Sequence, residues 1–246
     1  MLEGLESSAY RVGVSLNKGG AMAGLILARV LVLILLVGLG TGCGGGSSSN
    51  ESRSTTSQTK INTRDKAAAQ RIVLHLSDFP TGWRAQPSKN ESDEPKCFKL
   101  DVSDLTVTGK ASSRDFVNGQ VTTATSAAGL YEDEQQAHDA YQRIANEKLA
   151  KCISDWVRTQ STSDAKITDS SFGKLGFPKL GDQSSAYQIA MTLEAQGLTP
   201  TAYVDLVFIR ETRALTFLVF LDLFSPFDEQ LKEDLARKVA SRMPTT

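Results

Sequence analysis

The sequence predicts an α+β fold: a twisted antiparallel sheet of about five to seven strands flanked by helices, in a single domain. Three observations predict it. Tyr187, Ile189, Met191 and Leu193 alternate with Gln188, Ala190, Thr192 and Glu194, the two-residue period of a half-buried strand. Residues 203–209 and 215–221 are nearly continuous apolar runs joined by the short turn "RETRA". They should pair antiparallel, and strands apolar on both faces need cover on both faces. Finally, Phe227, Leu231, Leu235, Val239 and Met243 recur at four-residue steps, so a last helix lays one stripe against the sheet.

Read from the start, residues 21–42 are apolar apart from Arg29, and the uninterrupted block 30–37 is short. A bilayer span needs about 20 apolar residues, which the whole segment supplies. The short block, the small residues Gly38, Gly40, Thr41 and Gly42, and the polar tract behind Cys43 fit a signal peptide over 1–42. A start at Met22 would leave a compact signal whose only charge is Arg29. The segment resembles a bacterial lipobox, although Gly40 stands where leucine is usual and Leu39 lies one place early. That resemblance implies a diacylglyceryl thioether on Cys43; the alternative is a thiol beyond an uncleaved membrane anchor. Residues 43–65 are rich in Gly, Ser and Thr and cannot bury enough surface to offset chain entropy, so they read as a flexible tether. The extracytoplasmic domain is then 66–246, lipid-anchored on the outer face of the cell membrane.

Within the domain, 67–76 has helical character and ends at "SDFPTGW", with Gly82 and Trp83 opening the first strand and Trp83 plugging the core. Strands over 112–117 and 121–131 meet at Asn118-Gly119, a strong hairpin signal. Residues 132–156 form the best helix, with Ala137, Tyr141, Ile144, Cys152 and Trp156 on one face. Gln196-Gly197 turns the chain between strands. Ser225 caps the last helix, Pro226 takes its first position and Asp228 completes a capping box.

The formal net charge is −1, with basic residues scattered among acids, so nothing marks a nucleic-acid partner. Of three cysteines, Cys97 and Cys152 remain once Cys43 is assigned to lipid. An even pair in an oxidising compartment is a disulfide candidate worth about 4 kcal/mol in the chain-entropy model; two buried free thiols are the alternative. These cysteines with His75 and His138 lack the tight spacing of a metal site, and no cofactor is expected.

Catalytic signals are weak. His138 and Asp139 with Ser126 would need triad geometry, and there is no G-x-S-x-G or H-E-x-x-H. Asp133 and Glu134 suit the positive end of a helix. Asp205 and Asp222 lie in or beside apolar strands and need a partner, such as Arg210 or Arg213, or a sheet edge. Paired there, they would be the acids of a cell-wall hydrolase. The small residues of "VTTATSAAGLY" let a helix approach closely, or leave a groove lined by Thr123, Thr125 and Tyr131. The expected function is non-catalytic binding of a small molecule or envelope protein; the alternative is a carrier of an apolar envelope molecule.

"LSDFPTGW", Cys97, the "YEDEQQAHDAY" helix and Cys152 together resemble a group of actinobacterial lipoproteins. More distantly, the chain is similar to the PknH-type extracellular sensor domain of mycobacterial receptor kinases. The resemblance implies a twisted antiparallel sheet with flanking helices, a cleft and a ligand-sensing role. That sensor type carries two disulfides, whereas this chain can form one between Cys97 and Cys152, and it has no kinase domain.

Overall fold

The computed structural model describes residues 58–88, 104–159, 166–195 and 197–244. Nine strands form one sheet: β1 (Gln58–Thr59), β2 (Arg84–Gln86), β3 (Thr106–Ser112), β4 (Asp115–Asn118), β5 (Thr122–Tyr131), β6 (Lys166–Lys174), β7 (Gln183–Glu194), β8 (Thr201–Glu211) and β9 (Ala214–Leu223). Seven of them run in the order β1-β3-β5-β9-β8-β7-β6, while β4 pairs with β5 and carries β2. Every pairing is antiparallel except β1 with β3. The helices are α1 (Thr63–Ile72), α2 (Glu134–Ile144), α3 (Glu147–Arg158) and α4 (Glu229–Ala240).

The predicted two-sided cover is present. On one face, β7 contributes Tyr187, Ile189, Met191 and Leu193, and β8 contributes Val204, Leu206 and Phe208, to a core closed by Ala140 and Tyr141 of α2 and Leu149 and Ile153 of α3. On the other face, Val207 and Ile209 of β8 and Leu218 and Phe220 of β9 meet Ala69 and Ile72 of α1 and Leu235 and Val239 of α4. Each wholly buried Val, Leu, Ile, Phe or Met among them contributes about 1.5–3 kcal/mol. The α4 stripe packs as predicted, with Phe227, Leu235, Val239 and Met243 buried and Leu231 partly so. Trp83 is buried against Phe79 and Phe227.

Several local expectations differ from what is observed. The long helix is two: α2 stops at Ala145, whose backbone leaves the helical region, and Asn146 restarts the chain by accepting the Leu149 N–H at 3.1 Å. The last helix is capped by Asp228, which accepts the Leu231 N–H at 2.7 Å, and not by Ser225. The strand expected over 112–117 is β4, displaced to 115–118; β3 precedes it, and the chain bends between them at Ser113. There the Ser113 hydroxyl accepts the Ser126 N–H while the Ser113 N–H donates to the Ser126 carbonyl. Side chain thus replaces ladder at the bend. The first helix begins at Thr63 behind the cap Asn62, so β1 and the first turn of α1 fall within the stretch read as tether.

The small residues of β5 serve close packing. Ala124 and Ala128 lie in the core under α1, and α2 crosses the opposite face. At Gly109 of β3 the approach is tighter still: an added Cβ would overlap the Asp65 carbonyl and lie 2.7 Å from the Asp65 Cβ. Asp65 is clamped there by Arg213, whose Nη1 and Nη2 donate at 2.9 and 2.6 Å, and Arg213 also donates to the Tyr131 carbonyl at 3.0 Å. The guanidinium holds the Asp65 carboxyl far below the usual carboxylate range.

Candidate functional site

Thr123, Thr125 and Tyr131 do share the face of β5 that looks towards α2, in register with or beside apolar residues of β9. They differ in what they offer. Thr123 is half-buried opposite Leu221. Thr125 is buried, with its hydroxyl 3.2 Å from that of Ser113. Burial pushes the Tyr131 phenol up to about 12, against the pull of the Arg143 charge.

The carboxylates are arranged otherwise than expected. Asp205 is buried and paired with neither Arg210 nor Arg213. Lys232 of α4 donates to its Oδ2 at 2.6 Å and Gln188 of β7 to its Oδ1 at 2.9 Å. Arg210 instead donates from Nε to Gln183 at 2.7 Å and pairs with Asp182, and Arg213 goes to Asp65. Both oxygens of Asp205 are engaged beneath α4, which leaves it without access to a substrate. Asp222 is half-buried and accepts from the Thr122 hydroxyl at 2.6 Å; burial pushes its carboxyl up, opposed by hydrogen bonds from Thr122 and Ser225. Ser126 is buried and accepts the Leu74 N–H at 2.8 Å, while His138 Nδ1 lies 3.0 Å from Gln183 Oε1. Those contacts hold Ser126 and His138 to different partners, so no triad is assembled from them. No group of three or more His, Cys, Asp or Glu suited to a metal ion occurs among the described residues.

Cys152 is half-buried on α3 and is a bonded cysteine, not a titrating thiol. Cys43 and Cys97 lie outside the described residues, as does the apolar segment 21–42. No helix among the described residues is long and apolar enough to cross a membrane.

One end of the sheet stands apart. The β7–β8 hairpin turns at Gly197 (φ +78) and presents Leu198, 63% exposed. Beside it, Ala202 pairs with Leu223, and the next residue, Phe224, donates its N–H to the Thr201 carbonyl at 2.8 Å. Phe224 is 64% exposed and has φ +94. A bulky residue in that region costs about 1–3 kcal/mol. Thr212, the other non-glycine residue with positive φ among the described residues, donates its N–H to Asp182 and its hydroxyl to Pro244. No ring pairing among the described residues includes Phe224. Its backbone is tied by that one N–H bond, while its ring stays exposed. Nothing in the sequence flags Phe224: the signal is its backbone angle, a property of the folded chain.

Together these features define an α+β domain with a two-sided antiparallel sheet, engaged carboxylates and one apolar end. No protein-family model matches the chain, and no curated protein does. Among solved structures, the chain is similar to the extracellular domain of PknH from Mycobacterium tuberculosis, with 10% identity and a TM-score of 0.34. That match covers 55% of this chain and 64% of that one, under two thirds of its length. It is also similar to LpqN, involved in cell envelope biogenesis of Mycobacterium tuberculosis, with 14% identity and a TM-score of 0.27 over 65% of this chain and 73% of that one.

Proposed function

We propose that the chain is a membrane-anchored extracytoplasmic lipoprotein whose folded domain binds an envelope partner without catalysis. Its anchor is Cys43 and its oxidised bridge joins Cys97 to Cys152. The observation that carries the binding reading is Phe224, an exposed ring on strained backbone beside exposed Leu198. Backbone strain persists where the surrounding structure imposes it, and it clusters at functional contacts. Leu198 and Phe224 are the most exposed large apolar side chains among the described residues, ahead of Leu76 and Ile61, and their place at one end of the sheet supports the same reading.

The position of this end supports the reading. The chain enters the domain at Gln58, which pairs with Thr106, next to Val107 and its partner Tyr131. Phe224 and Leu198 lie at the other end of the strands, beyond Leu223 and Glu194. A tether fixed at Cys43 therefore presents the apolar end away from its own point of entry. The non-catalytic reading is supported by Asp205, whose carboxylate is sealed under α4 by Lys232.

The experiment is site-specific photo-crosslinking in growing cells. A benzophenone side chain at position 224 should give one discrete adduct, and one at Lys60, on the entry end, should not. Equal labelling from both positions, or none from 224, contradicts the binding role of this end.

A further inference from the structure

The β4–β5 hairpin turns on Asn118-Gly119, at the same end of the sheet as Phe224. Asn118 is exposed and pairs with Thr122, whose hydroxyl reaches Asp222 at 2.6 Å. Gly119 has φ +65, and a Cβ placed on it would meet nothing within 4 Å. Among the described residues no backbone hydrogen bond ties the Gly119 amide. The Gly119 nitrogen, next to the Asn118 carboxamide, thus carries no screening side chain and belongs to an exposed residue.

We propose that Asn118 is a deamidation site. The Gly119 amide nitrogen loses its proton to solvent base and attacks the Asn118 Cγ. A nitrogen–Cγ bond forms as the Cγ–Nδ2 bond breaks, and the side-chain nitrogen leaves as ammonia after taking a proton from water. Water then adds to one of the two carbonyls of the cyclic imide and opens it to aspartate or isoaspartate. Either product puts a new carboxylate in the row Asn118, Thr122, Asp222. Isoaspartate also inserts a methylene into the backbone where Asn118 pairs with Thr122, disturbing the register of the turn. The modification thus changes the charge and shape of the apolar end, and it stands whether or not that end binds a partner.

The test uses the full chain, incubated in mildly alkaline buffer and mapped by peptide mass spectrometry over time. Asn62 and Asn146, followed by Thr63 and Glu147, are internal references because a side chain screens the next nitrogen. Conversion at Asn118 should run on the order of tenfold faster than at either, since glycine alone lacks that screen. It should speed up with pH, and the acidic product should co-elute with an Asn118→Asp variant on charge separation. Asn118 retaining its amide in the folded chain, under conditions where the urea-unfolded chain converts it, would overturn the proposal. So would a rate at Asn118 no greater than at Asn146.

Discussion

Gly109→Ala should lower stability by about 3 kcal/mol, the upper end of the ordinary overpacking range, because neither side of the contact is free to yield. The new methyl would overlap the Asp65 carbonyl, a backbone group in the first turn of α1. That turn is held by the Arg213 fork on Asp65 and by the Asn62 cap. For a domain of this size the loss corresponds to a fall in melting temperature of roughly 6–12 °C, read by calorimetry. Arg213→Ala alone should also destabilise, but combined with Gly109→Ala the losses should fall short of their sum, because the released helix can then shift. A Gly109→Ala protein melting within about 2 °C of the parent would show that α1 is not pinned against β3.

Lys232→Met should cost about 3–5 kcal/mol, since it strands the Asp205 carboxylate in the core with only Gln188 as partner. The pair is dry: the side chains are 7% and 0% exposed, so solvent does little to screen the loss. Replacing both partners, as Asp205→Leu with Lys232→Met, should recover most of the stability, because the desolvation cost of both charges disappears together. Urea unfolding of the two single variants and the double variant measures the coupling directly. A Lys232→Met cost within about 1 kcal/mol of zero would mean that the pair behaves as a surface ion pair, and its place under α4 would be wrong.

The central strands were legible because their pattern has one physical cause. Tyr187, Ile189, Met191 and Leu193 alternate because one face of β7 is covered, and β8 and β9 run apolar because both of theirs are. β3 gives no strand signal because "TVTGKAS" carries few large apolar side chains, its glycine being needed for helix approach. β6 gives none because it is a polar edge strand with lysine at each end, the composition that discourages edge pairing. The break between α2 and α3 had a signal in Asn146, a residue type that caps helices, but the apolar spacing ran through it without interruption. Lys232 could not be found from the sequence. It follows Leu231 on a helix whose stripe reads as ordinary, and its partner lies 27 residues earlier on a strand. Phe224 was equally silent, since strain is a product of tertiary structure and not of local composition.

Export, trimming and oxidation of the chain underlie the anchored, non-catalytic role proposed for it. Intact-mass spectrometry of the native protein, taken from the membrane fraction and alkylated without reductant, tests this most directly. The expected result is a polypeptide beginning at an acylated Cys43, with Cys97 and Cys152 both refusing the alkylating reagent. A full-length chain from the cell interior, retaining residues 1–42 and alkylated at all three cysteines, would contradict it.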